Sequence, residues 1–136
     1  MKKILATVCA LALLVTAAAC GGGAGDKEVK NGKVGAMTVT LSNPDGVLRH
    51  GDQELTVTFK DASGKPSDVG SASINFYMPA MGSMPAMNDA ATLTTTSTPG
   101  VYRGKVKLEM GGEWQAQIAY EGPAGAGKGS FPVTAQ

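Results

Sequence analysis

Apolar and polar residues alternate with a period of two over most of the chain after residue 36. Such alternation is typical of β-strands that have one buried face and one solvated face. The apolar positions of these stretches are Met37, Val39 and Leu41; Leu55, Val57 and Phe59; Ile74, Phe76 and Met78; Leu93; Tyr102, Val106 and Leu108; Trp114, Ala116, Ile118 and Tyr120; and Phe131 and Val133. The pattern predicts about seven short strands.

Turn-forming residues separate these stretches. Gly, Pro, Asn and Asp cluster at residues 43–46, 63–66, 99–100, 111–112 and 122–123, where they favour reversals of the chain. No helical period of useful length occurs after residue 20. The sequence therefore predicts an all-β domain over residues 37–136, a small immunoglobulin-like antiparallel β-sandwich of about seven strands. A small β-barrel is the structural alternative.

The first 20 residues have the organisation of an export signal. Lys2 and Lys3 precede a short apolar run that ends in small residues directly before Cys20, as in secretory signal peptides. This end of the chain resembles the lipobox of bacterial lipoproteins, in which the cysteine is lipidated and becomes the new N-terminus. We therefore expect a lipoprotein signal peptide at residues 1–19 and a lipidated Cys20 followed by a flexible linker to residue 36. An ordinary signal peptide cleaved near Ala19 is the alternative.

The same resemblance implies a location. Residue 21 is glycine, and the absence of an acidic residue there favours the outer membrane over retention at the inner one. The glycine-rich stretch after Cys20 suits a tether. We expect a protein of the cell envelope that is lipid-anchored and faces the periplasm.

Cysteine content and charge exclude several classes of function. Cys9 falls in the segment expected to be removed and Cys20 in the lipid anchor, so the mature domain has no free thiol and no disulfide. The chain carries 12 Lys and Arg against 11 Asp and Glu, and loss of Lys2 and Lys3 leaves 10 against 11. Because no basic run is present, nucleic acid is not expected as a partner.

Residues 78–87 carry the most unusual pattern in the chain. Methionine recurs there at every third position, and Met-Pro-Ala-Met occurs twice. The two prolines cannot donate hydrogen bonds to a β-ladder and Gly82 frees the backbone, so we interpret the segment as a loop. Thioether sulfur is a soft, neutral ligand that selects Cu(I), and it has no proton to lose on binding. The loop is therefore a candidate Cu(I) site.

Simple alternation of strand direction extends the candidate site. It would place the loops at 42–53, 78–90 and 109–112 at one end of the sandwich. That end would hold the loop together with Met110 and the chain's single histidine. The candidate ligands are Met78, Met81, Met84, Met87, Met110 and His50.

Other roles for the same residues remain open. Met78 ends an alternating stretch and faces the same way as Phe76, which favours a core position, and methionine commonly fills gaps in cores. The loop could also be an apolar lid over the end of the sandwich or a patch that contacts a partner. A lone exposed histidine such as His50 more often has no ligand.

Three short motifs resemble one known family by their order and spacing. They are Met78-Pro79-Ala80-Met81, Gly100-Val101-Tyr102-Arg103-Gly104 and Met110-Gly111-Gly112-Glu113-Trp114. Over residues 37–134 the chain resembles the YtkA-like domain, which is related to FixH-type proteins. The resemblance implies a small envelope β-sandwich, found alone or attached to heavy-metal efflux adaptors, with a role in copper handling or copper-enzyme assembly. Family members often carry histidine near the methionine loop, whereas this chain relies on thioethers alone.

Catalysis is not expected from this composition. With one histidine, no mature thiol and no spaced acidic cluster, the sequence offers no pair of nucleophile and base. Two hypotheses remain. The first is a lipoprotein that binds Cu(I) for trafficking, buffering or resistance. The second is an interaction module without metal that docks its methionine loop on an efflux adaptor or an oxidase assembly partner. Oxidation of the exposed thioethers in a sulfoxide sensor is a minor third possibility.

Overall fold

The fold is described from a computed structural model that covers residues 26–123 and 125–136. Within those residues the backbone forms eight β-strands, and no helix long and apolar enough to cross a membrane is found there. The strands are β1 Lys27–Val34, β2 Met37–Asn43, β3 Gly51–Lys60, β4 Ser71–Met78, β5 Met87–Thr95, β6 Val101–Leu108, β7 Gly112–Gly122 and β8 Gly125–Ala135. The all-β prediction is confirmed. The expected signal segment, Cys20 and the glycines after it lie outside the described residues.

All neighbouring strands run antiparallel, in the order β1-β2-β3-β6-β5-β4-β7-β8. Strand β5 belongs to both halves of this order: residues 87–91 pair with β4, and residues 92–95 pair with β6. The sheet is thereby folded into two layers joined along β5. The architecture is an antiparallel sandwich that approaches a closed barrel.

The opposite edges of the two layers meet where β1 passes β8. A Cβ built on Gly32 would lie 2.5 Å from the ring of Phe131, and one on Gly129 would lie 3.0 Å from the carbonyl oxygen of Lys33. Only glycine leaves room for so close an approach of two chains. Glycines in β1 and β8 therefore let the sandwich close at this edge.

The inward-facing residues of both layers form a single core. Phe59 of β3 contacts Tyr102 of β6 and Tyr120 of β7 in edge-to-face geometry, with ring centroids 5.5 Å and 5.7 Å apart. Trp114 and Phe76 are fully buried beside them. Burial of each such side chain contributes about 2 kcal/mol. In the described residues this aromatic and aliphatic core holds the domain together.

Strand β1 corrects the expected domain boundary. Residues 21–36 were expected to be linker, but residues 27–34 pair with β2, and the register shifts between Glu28 and Lys30. Only Val29 and Val34 are apolar in this strand, and Val34 is fully buried. A polar strand is tolerated here because β1 is the last in the hydrogen-bonded order, where charged side chains are common. The linker prediction is wrong for these eight residues.

Strand directions confirm the expected clustering of three loops. Because every pairing is antiparallel, the β2–β3, β4–β5 and β6–β7 connections all lie at the same end of the sandwich. The end of β8 lies there too: the His50 N–H donates to the carbonyl oxygen of Gln136 at 2.8 Å, and the Gln136 N–H donates to that of Leu48 at 2.8 Å. We call this the methionine end of the domain.

Candidate functional site

The methionine segment continues the β4–β5 hairpin beyond the sheet. Met78 pairs with Met87 at the end of the ladder, and Met81 pairs with Met84 in an isolated bridge. In each pair the two residue numbers add up to the same total, so the register of the β4–β5 ladder continues unchanged to the tip. The expected loop is therefore an ordered hairpin, and residues 79–86 form its projecting tip.

A two-residue turn closes this tip. The Met81 N–H donates to the carbonyl oxygen of Met84 at 3.1 Å, and the Met84 N–H donates to that of Met81 at 2.9 Å. Gly82 has a φ of 56°, whereas Ser83 is not among the residues of positive φ. Glycine with positive φ at the first central position is the signature of a type II′ turn.

Proline explains why the ladder is interrupted below the turn. Met81 and Met84 exchange both of their hydrogen bonds, so the next pair of that kind down the hairpin is Pro79 with Ala86. Pro79 has no N–H and leaves that pair without one of its bonds. Pro85 falls in the intervening pair, where antiparallel strands exchange no hydrogen bonds. The tip therefore depends on the turn for its order.

Burial separates the four methionines into an inner and an outer pair. Met78 is 2 % exposed and belongs to the core, as its alternation with Phe76 indicated, and Met87 packs half-buried against the same core. Met81 and Met84 are 57 % and 41 % exposed and are the exposed large hydrophobic residues of the described chain. The outer pair is accessible to solvent, and the inner pair is mainly a packing element.

Met110 lies in the β6–β7 connection, which crosses the methionine end beside the hairpin. The indole N–H of Trp114 donates to the carbonyl oxygen of Met110 at 3.1 Å, and the Met110 side chain packs half-buried against the core. The Glu109 N–H donates to Asp89 at 3.2 Å, which ties this connection to β5. A Cβ on Gly112 would lie 3.2 Å from the Met78 methyl carbon. Met78, Met87 and Met110 thus cap the core and fill the role of a lid, while the tip projects past them.

His50 is exposed at the methionine end, as the strand alternation predicted. Its ring nitrogen Nδ1 lies 3.3 Å from the carbonyl oxygen of Gln136. The structure thus pairs His50 with the end of β8.

The chemistry available at the tip is that of two thioethers on one side of a hairpin. Residues that face each other across antiparallel strands have Cβ atoms about 5 Å apart and project to the same side, so Met81 and Met84 can direct both sulfur atoms at one ion. Residues 79–86 carry no charge and are all exposed. Among the described residues no group of three or more His, Cys, Asp or Glu is placed to hold a metal.

The pairing of Met81 with Met84 has a signal in the sequence. Met81-Gly82-Ser83-Met84 places glycine followed by serine between two matching apolar residues, and Gly-Ser is a recognised two-residue hairpin turn. Two prolines around it mask the hairpin, because they argue against a continuous strand.

Comparison with known proteins identifies one family. The model of the family described as YtkA-like matches residues 32–119, which is more than half of the chain. That range includes the whole methionine hairpin, and it begins within β1. No curated protein and no solved structure matches the chain significantly.

Proposed function

Since the chain belongs to the YtkA-like family, we propose that it is a copper-handling protein of the cell envelope that carries Cu(I) on the thioethers of its methionine hairpin. The exposed pair Met81 and Met84 on an ordered, projecting tip carries this proposal. The ion is cargo for trafficking, buffering or resistance, and the domain has no catalytic role in it.

Burial energetics support a functional reason for the tip. Folded proteins rarely expose a large contiguous apolar patch unless the patch has a function. Here six of the eight tip residues are Pro, Ala or Met, although the rest of the large apolar side chains in the described chain are buried or half-buried. Soft sulfur and the absence of charge fit Cu(I) and discriminate against hard cations, which prefer oxygen ligands.

Competition against a chromophoric Cu(I) chelator under anaerobic conditions tests the proposal. The test protein is the soluble form of residues 21–136, which contains all eight strands and the described core. We expect binding to change little between neutral and mildly acid pH, because thioethers release no proton. A strong loss of affinity at acid pH would instead indicate that His50 is a ligand.

Matched variants assign the binding to the outer pair. Met81→Leu together with Met84→Leu keeps the apolar surface and removes both sulfurs, so Cu(I) binding should be lost while the circular dichroism spectrum is unchanged. Met87→Leu alone should change the Cu(I) affinity little, because Met87 belongs to the inner pair. Met37→Leu is the control, since Met37 begins β2 at the other end of the domain. Unchanged affinity in the double variant would exclude the tip as the site.

An interaction module is the second candidate, and the same exposed apolar tip favours it. In that role the hairpin docks on a protein such as an efflux adaptor or an assembly partner of an oxidase. The double leucine variant separates the two roles, because it preserves apolar area but no sulfur. Retained partner binding together with absent Cu(I) binding would support the module.

We further propose that Cys20 anchors the domain to a membrane facing the periplasm, with the outer membrane preferred. Metabolic labelling with a palmitate analogue tests the anchor. Label should enter the wild-type protein and be absent from the Cys20→Ala variant. Equal labelling of both proteins would place the lipid elsewhere, and separation of inner and outer membranes would locate the protein.

A further inference from the structure

The tip of one chain provides only part of a coordination sphere for Cu(I). Met81 and Met84 are its two sulfur donors, and the other six residues of the tip are Pro, Ala, Gly and Ser. Met78 is enclosed in the core, and Met87 packs against it. A soft closed-shell ion held by neutral thioethers alone takes three or four donors, commonly in a tetrahedral set. A single hairpin therefore leaves the ion coordinatively incomplete.

We propose that two copies of this chain share one Cu(I) ion between their hairpin tips, with Met81 and Met84 of each copy forming a four-sulfur site. This inference rests on the proposed function and adds the partner that completes the site. A second copy supplies the same pair of donors through a two-fold axis, which is the commonest arrangement of protein dimers. The ion lies on that axis, between two matching turns.

Charge does not oppose this arrangement. The tip has no charged residue, but Asp89 and Glu109 lie at the base of the hairpin. Met81 and Met84 are three residues beyond the last pair of the β4–β5 ladder, which corresponds to about 10 Å along a strand. When two tips meet, the acidic bases are about 20 Å apart, well beyond the screening length of about 8 Å at physiological ionic strength.

Contact area makes the dimer dependent on the ion. A stable interface buries about 800 Å² on each partner, and eight small residues that touch through one side of a turn bury a fraction of that. Apolar contact between two tips is therefore too small to hold the copies together. The protein without metal should be a monomer, and metal binding should be coupled to association.

Sedimentation velocity during an anaerobic Cu(I) titration of the 21–136 protein tests the proposal, with Ag(I) as a redox-stable soft probe in parallel. We expect monomer without metal, dimer at one ion for every two chains, and return to monomer on adding a strong chelator. Met37→Leu should behave like the wild type. The double variant Met81→Leu and Met84→Leu should stay monomeric at every metal concentration.

The outcomes separate this inference from the proposed function. One ion bound by each monomer would overturn the shared site and leave the Cu(I)-binding function intact. No bound ion in either titration would overturn both. A dimer that forms equally well without metal, or in the double leucine variant, would show that the ion does not bridge the copies.

Discussion

Met78 and Met81 are three residues apart in one hairpin, yet Met78 is 2 % exposed and Met81 is 57 % exposed. Met78 ends the β4–β5 ladder and faces the core, whereas Met81 lies beyond the ladder in the turn pair with Met84. Two chemically identical side chains therefore occupy different environments. Substitution of each in turn should separate folding stability from ion binding.

We expect Met78→Ala to lower the free energy of unfolding by about 3 kcal/mol, because loss of most of the side chain leaves a cavity in the core. Met81→Ala should change it by less than about 0.5 kcal/mol, because its side chain is mainly in solvent. For Cu(I) binding the order should be reversed: Met81→Ala should lower the affinity more than Met78→Ala. Urea unfolding followed by the fluorescence of the single tryptophan, Trp114, measures the first quantity, and chelator competition measures the second. Equal effects of both variants on stability would contradict the division into inner and outer pairs.

The turn should control how well the outer pair is organised for binding. Gly82→Ala places a side chain at a φ of 56° with no neighbouring atom within 4 Å, so its cost is backbone strain of about 1 kcal/mol. Opening the turn to relieve that strain separates Met81 from Met84, and we expect Cu(I) affinity to fall several-fold. Ser83→Ala is the control, because it leaves the glycine in place. Titration of both variants should show the loss only in the first, and wild-type affinity in Gly82→Ala would show that the turn does not organise the pair.

Gly64 and Gly100 offer a test of steric crowding at the same φ, since both have a φ of 82°. A Cβ on Gly64 would meet no atom within 4 Å, but one on Gly100 would lie 2.5 Å from the carbonyl oxygen of Ser67. We expect Gly64→Ala to cost about 1 kcal/mol and Gly100→Ala about 3 kcal/mol or more, because the backbone of Ser67 must move. Thermal unfolding of the two variants measures the difference, and equal losses would contradict the close approach.

Acid should weaken the turn that Asp61 organises. Hydrogen bonds from the Ser63 hydroxyl and then from the Lys65 N–H hold the pKa of Asp61 below its ordinary value of 3.8. Because this pKa is lowered on folding, the carboxylate stabilises the protein above the unfolded pKa, and that contribution disappears as pH falls through the folded one. The stability difference between wild type and Asp61→Asn should shrink as pH falls below about 5, toward and past the unfolded pKa. A difference that does not depend on pH would show that the carboxylate charge has no part in the turn.

A rise to alkaline pH should destabilise the fold through Tyr102, just as a fall in pH does through Asp61. Burial, followed by the nearby charge of Asp68, raises the pKa of the Tyr102 hydroxyl above 10.0, and the hydroxyl donates to the carbonyl oxygen of Gly70 at 2.8 Å. The neutral form is favoured in the folded protein, so its contribution is present below the unfolded pKa and is lost as pH rises toward the folded one. Tyr102→Phe should cost about 1 kcal/mol at neutral pH. The difference in the free energy of unfolding between wild type and Tyr102→Phe, measured by urea unfolding, should become smaller above about pH 10.

The alternating stretches could be recognised in the sequence because their residues face a core on one side and water on the other. Phe59, Phe76 and Ile118 are buried as their alternation predicts. Strand β1 escaped this reasoning because its residues are mostly polar, and an edge strand can be held by main-chain pairing and one buried residue, Val34. The first half of β5, with Asn88 and Asp89, escaped for the same reason.

The candidate site was predicted in its composition but not in its arrangement. Spacing at every third residue identified the methionines, and strand alternation placed Met110 and His50 at the same end of the domain. The division into a buried and an exposed pair depends on the register that links Met81 to Met84. Periodicity cannot reveal that register when prolines interrupt the ladder, although Gly82-Ser83 is a local indication of it.

The closure of β8 has a consequence for how the domain meets other copies of itself. An open edge strand is a template on which another chain can add and begin a fibril. Here β1 lies against β8 near Phe131, and the segment at Leu48 pairs with Ala135 near its end. The middle and the C-terminal end of the terminal strand are therefore covered within the molecule. A domain closed in this way would thus resist polymerising with other copies of itself, while the methionine tip stays free to make a reversible contact.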